Sequence, residues 1–107
     1  MANTYKNAKV DLTTTNATTV LTTPVGSTNI IKSMLVSEDS GNADTTTLTI
    51  TDTDSAVFSL FKVKAVSANT TVELLTQPLV LQDSEILKAT AATANRLHLV
   101  VSYLEIS

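Results

Sequence analysis

Residues 45–54 read TTTLTITDTD, and the way this run alternates decides the fold. In an extended chain, successive side chains point to opposite faces. Leu48 and Ile50 then share one side while Thr45, Thr47, Thr49, Thr51 and Thr53 share the other. A helix would scatter both sets around its axis. Threonine is β-branched, stiff at its first side-chain torsion and at home on a pleated surface. The preceding EDSGNAD (38–44), rich in Asp, Asn, Ser and Gly, is a loop that delivers the chain into this strand.

Working outward, similar short runs recur with turn residues between them. Strands are expected over 5–12, 18–23, 28–37, 45–53, 56–66, 71–77, 79–82 and 96–106, with Pro24 and Pro78 as breaks. DSEILKATA (83–91) could open a helix at Ser84, but the capping-box position is Leu87 instead of Glu or Gln, and its threonines favour a strand. Strict alternation in TNIIKSMLVS (28–37) puts Ile30, Met34 and Val36 on one face and Ile31 and Leu35 on the other. In the final run, Leu97, Leu99, Val101 and Tyr103 face one way, and Val100, Leu104 and Ile106 make the second face apolar as well. A strand apolar on both sides is either covered twice or meets another chain. The expected architecture is all-β: one domain, residues 1–107, folded as an antiparallel β-sandwich or jelly roll of about eight short strands. Leu48, Ile50, Phe58, Leu60, Leu97, Leu99 and Val101 are the expected core.

Composition narrows the function. The 107 residues carry 20 threonines, no cysteine, 16% charged residues and a net charge of −3, which rules out disulfides and thiolate metal sites. Seven basic residues are scattered along the chain without stacking aromatics beside them, unlike a nucleic-acid surface. No apolar run has the length of a membrane span. MANTYKNAKVDL lacks the apolar segment of a signal peptide, so a soluble protein made in the cytoplasm is expected.

Reactive groups are sparse. His98 is the sole histidine, set between two leucines with no acid beside it in sequence, and reads as a strand histidine, not a general base. Asp52 and Asp54 share a strand end, and Glu38, Asp39 and Asp44 share a loop, but neither has the spacing of a calcium loop. Solvated turn acids are the simpler reading. Threonine ladders of the Thr-x-Thr type occur on ice-binding surfaces when repeated on stacked strands; here the full pattern occurs once. Lys62 and Lys64 read as the emerging end of an amphipathic strand. No catalytic, cofactor-binding or metal-binding residue is assigned, and no cofactor is expected.

Three segments, MANTYKNAKVDLTTTNATTVLTTP, VSANTTVELLTQPLVLQDSEILKATA and NRLHLVVSYLEIS, together span most of the chain. They resemble small virion proteins of tailed bacteriophages, with their N-Y-K-N opening strand, T-T-V-L-T-T-P segment, P-L-V-L block and terminal V-S-Y-L-E strand. One departure is QDSE (82–85), where a glycine is typical of the turn. The resemblance implies a non-enzymatic structural protein of the virion, assembled in the host cytoplasm. It points first to a capsid decoration (cement) protein that binds the major capsid protein and forms a homo-oligomer, with a trimer expected. A tail, baseplate or fibre-attachment component, or a displayed receptor- or glycan-binding module, is the alternative. The contact residues expected are Tyr5 and Lys6 in the N-terminal segment, Glu38, Asp39 and Asp44 in the acidic loop, and Val100, Leu104 and Ile106 on the second face of the last strand.

Overall fold

A computed structural model describes residues 2–107. Nine strands follow one another: β1 (Asn3–Leu12), β2 (Thr18–Thr22), β3 (Thr28–Glu38), β4 (Asp44–Thr51), β5 (Val57–Val66), β6 (Thr71–Glu73), β7 (Leu79–Leu81), β8 (Ile86–Ala91) and β9 (Leu97–Ile106). They form two antiparallel sheets. One runs β1-β9-β3 with β6 and β7 end to end along the far edge of β3; the other runs β2-β8-β4-β5.

Strands β6 and β7 pair with different lengths of β3, Leu35–Ser37 and Asn29–Ile31, so they make one edge strand interrupted in the middle. Counted as one, they leave eight strands, and every connection except the β4–β5 hairpin crosses from one sheet to the other. That wrapping is a jelly roll, and it resolves the two architectures left open by the sequence. The segment from residue 83 enters β8 through a turn at Ser84, whose φ of +65° is where a glycine would sit without strain.

The core lies between the sheets. Leu97, Leu99, Val101 and Tyr103 of β9 point into it, as their alternation requires, and meet Leu48, Leu87, Ala89, Ala91, Leu12 and Leu81. Ile50 packs partly buried at its margin. Ile50 falls short of full burial, and two further expectations fail. Phe58, expected inside, is 56% exposed, and Leu60 is only partly buried. The β4–β5 register shifts twice, between Thr46 and Leu48 and between Leu48 and Thr49, so that Phe61 and not Leu60 lies opposite Leu48. Phe58 sits opposite Ile50 at the start of an outermost strand, where little of the other sheet covers it.

The faces of β3 also differ from strict alternation. Ile31, Met34 and Val36 are the buried set, and Ile30 and Leu35 lie on the other side. A bulge explains the switch: Ile31 pairs with Tyr103 and Ser33 with Ser102, leaving Lys32 as an extra residue. Glu73 holds this place. The Ser33 hydroxyl donates to its carboxylate, as do the Met34 N–H at 2.7 Å and the Leu75 N–H at 3.3 Å. Partial burial pushes the Glu73 carboxyl up, but those donors together outweigh it and the net effect is a lowered pKa.

Candidate protein-contact face

The outward faces of the two sheets differ in chemistry. On the four-stranded sheet, residues paired side by side share a face. Thr19, Lys88, Thr49 and Ser59 form one outward row, and Thr22, Ile86, Thr51 and Val57 another. The Thr45–Thr51 set does lie outward and half-exposed, while Thr46 turns inward and is buried. Its neighbours on β8 are Thr90, Lys88 and Ile86, so the hydroxyls make one rung and not a plane. Thr47 Oγ1 is used internally, accepting the Val63 N–H at 3.0 Å.

The five-stranded sheet presents the opposite character. Tyr5 of β1, Leu104 of β9, Ile30 of β3 and Val80 of β7 lie in one unbroken outward row across four strands. Tyr5 is 76% exposed and Val80 is exposed too, while Leu104 and Ile30 are half-buried by their neighbours. A second row runs Lys9, Val100, Leu35, Glu73, with Leu35 exposed. Ile106 continues the apolar surface at the strand end, between Asn3 and Thr28. The alternation that buries Leu97, Leu99 and Val101 therefore places Val100, Leu104 and Ile106 together outside, with Tyr5 beside them. Ile30, Leu35 and Val80 complete this surface. The sequence reading missed the first two as outward residues because the bulge at Lys32 inverts the faces of β3.

Lys6 is separated from this group. It alternates to the opposite side of β1 from Tyr5, and its Nζ lies 3.2 Å from Glu105 Oε1 on the adjoining strand.

The acidic loop is also divided. Glu38 is only 2% exposed. Its carboxylate accepts the Ser40 hydroxyl and the backbone N–H groups of Ser40 (2.9 Å), Gly41 (3.1 Å) and Asn69 (3.1 Å). Gly41 and Asn69 take positive φ, +85° and +55°, which turns their N–H groups towards the carboxylate. The Ser40 hydroxyl foremost, then these N–H groups, hold the Glu38 pKa down at about 2 against the effect of burial, which raises it. Glu38 thus ties the β3–β4 loop to the β5–β6 loop. Asp44 is buried as well, with Oδ2 accepting the Thr93 N–H at 3.0 Å, while Arg96 Nη1 donates to Ala43 O at 3.0 Å.

Asp39 stays outside and meets His98, which the sequence had placed without an acidic neighbour. His98 Nδ1 is 3.6 Å from Asp39 Oδ2, and its Nε2 is 3.3 Å from Asp11 Oδ1. Strand pairing brings Asp11 directly opposite His98 on the same outward face. The two carboxylates flank opposite nitrogens of the ring and do not converge on one point. Among the described residues, no group of three or more His, Asp or Glu side chains has the geometry to hold a metal ion. Asp52 serves its own turn, with Oδ1 accepting the Asp54 and Ala56 N–H groups at 2.9 Å each.

The class of protein defined by these features is a small jelly-roll domain with hydroxyls prominent on one outward face and an apolar stripe among polar rows on the other. No protein-family model matches the chain, and no curated protein matches it.

Proposed function

We propose that this chain is a non-enzymatic structural protein of a tailed-bacteriophage particle, and that it decorates the capsid by seating the outer face of its five-stranded sheet on the major capsid protein. The observation that carries this reading is the difference between its two outward faces. The row Tyr5, Leu104, Ile30 and Val80 is an apolar stripe across four strands, with Val100 and Leu35 beyond an intervening row of Asn7, Ser102 and Ser33. An exposed apolar stripe of this kind marks contact with another protein. The opposite face sets Ile86 and Val57 among Thr19, Thr22, Thr47, Thr49, Thr51, Lys88 and Ser59, a mostly polar mix that suits exposure to water. Such a domain is polarised, with one side to hold a surface and the other to face outward. An acidic chain of net charge −3 also fits a site on the outer shell, away from packaged DNA. The sequence resemblance to small virion proteins points the same way.

The test uses the protein and particles that lack it. Added protein should co-sediment with the particles and raise their resistance to heat and osmotic shock. The pair of substitutions Leu104→Lys and Val80→Lys should abolish retention while leaving the circular-dichroism spectrum unchanged. Particles equally stable without the protein, or retention that survives both substitutions, would sink the reading. Purification with tails instead would move the same face to a tail partner.

A further inference from the structure

Two long strands end their sheets with a free edge, and they differ. The β5 edge is obstructed: its register with β4 shifts twice, Val63 sits at φ +54°, and Lys62 and Lys64 flank that kink. Bulges and lysines of this kind block pairing with a further strand. The β1 edge has no such kink. Its ten residues pair one for one with β9 from Asn3 to Leu12, with no shift. Along its other side, among the described residues, no loop backbone group bonds to Asn3–Val10. Of its two lysines, Lys6 is drawn back onto Glu105, leaving Lys9. A long, regular strand with unpaired N–H and C=O groups is a template for another strand.

We propose that β1 pairs antiparallel with β1 of a second copy of this chain, across a two-fold axis at Asn7, joining the two five-stranded sheets into one. The strand's own residues select this occupant. Facing residues in an antiparallel pair lie on the same side of the sheet, so the axis must pass through a residue and not between two. With the axis at Asn7, its amide faces its twin, and each can both donate and accept. Tyr5 then faces the second copy's Lys9, a cation over an aromatic ring, and Lys6, already paired with Glu105, faces the second copy's Ala8. The Asn7 axis sets the two Lys6 side chains at diagonal positions, each drawn onto its own Glu105, whereas moving the axis to Ala8 would set the two Lys9 side chains diagonally with no such ion pair to offset their repulsion. The Asn7 pairing also joins the row ending at Tyr5 to the second copy's Lys9, Val100 and Leu35, so the outward faces of the two sheets become continuous.

This inference rests on the homo-oligomer that the sequence resemblance implies and puts a two-fold in place of the expected trimer. Light scattering and sedimentation of the full chain should show a dimer. Asn7→Cys, in a chain otherwise free of cysteine, should cross-link it under oxidising conditions, whereas Ser59→Cys on β5 should not. Asn7→Lys, at an exposed position, should leave the monomer folded and weaken the dimer at least about tenfold by setting like charges face to face. A monomer or a trimer overturns the pairing, as does a dimer that Asn7→Lys leaves intact and Asn7→Cys does not cross-link. A chain that is monomeric yet still binds particles overturns the pairing alone. A dimer that fails to bind particles counts only against the decoration reading.

Discussion

Val63 shows how much a single residue can work against its own chemistry. A β-branched side chain at φ +54° brings Cβ close to the carbonyl, and at 61% exposure it gains little burial in return. Val63→Gly should therefore raise unfolding stability by about 1 kcal/mol, read from the midpoint of a urea titration. Glu38 works in the opposite direction. Its folded pKa of about 2 lies below the ordinary 4.5, so the folded state holds the proton less tightly than the unfolded chain does. The stability this supplies is complete above pH 4.5 and drains away as the pH falls through about 2. Glu38→Gln offers one acceptor oxygen to four donors and should lower Tm at neutral pH. The gap from the wild type should narrow as the solution is acidified from 4.5 towards 2. A gap of constant size across that range would show that the carboxylate's charge is not what the loops depend on. None of this was visible from residue types: an EDS loop reads as solvated, and only the arrival of Asn69 from a distant turn makes Glu38 internal.

At the scale of an element, the β3 bulge is the feature with the largest leverage. Period-two alternation is unforgiving, because one inserted residue exchanges the core face for the solvent face. With Lys32 looped out, Ile31, Met34 and Val36 all reach the core. Deleting Lys32 should leave a regular strand with the same residues inside, and the variant should fold with a cooperative thermal transition. Inserting one alanine between Leu99 and Val100 has no bulge to absorb it. It would turn either the Leu97–Leu99 or the Val101–Tyr103 part of β9 outward, and that variant should fail to fold. Strand positions were legible along nearly the whole chain, since Thr, Val and Ile runs broken by Pro, Gly and Asn report local preference. Bulges were not legible, because they are settled by the partner strand: Glu73 and Ser102, distant in sequence, decide where β3 slips.

The molecule as a whole is knitted by distant pairings. β1 lies against β9, β2 against β8, and β3 against both β9 and the β6–β7 edge, so few contacts can form before long loops close. Refolding measured by stopped flow should accordingly take on the order of milliseconds to seconds, slower than a helical protein of this size. A microsecond folding phase accounting for the full amplitude would contradict the topology. By itself the sequence determined that the chain is all-β, roughly where each strand lies, and that Leu97, Leu99, Val101 and Leu48 are inside. Those properties follow from side-chain alternation and β-propensity, which each segment carries locally. Tertiary structure alone decided that the sandwich is a jelly roll, that Phe58 stands in solvent, that Glu38 is a buried tie between loops, and that His98 lies between two aspartates. It also decided that Ile30, Leu35 and Val80 join Leu104 and Tyr5 on one outward face. Each of these depends on which strand lies beside which, and in what register, and that pairing is a property of the assembled sheets.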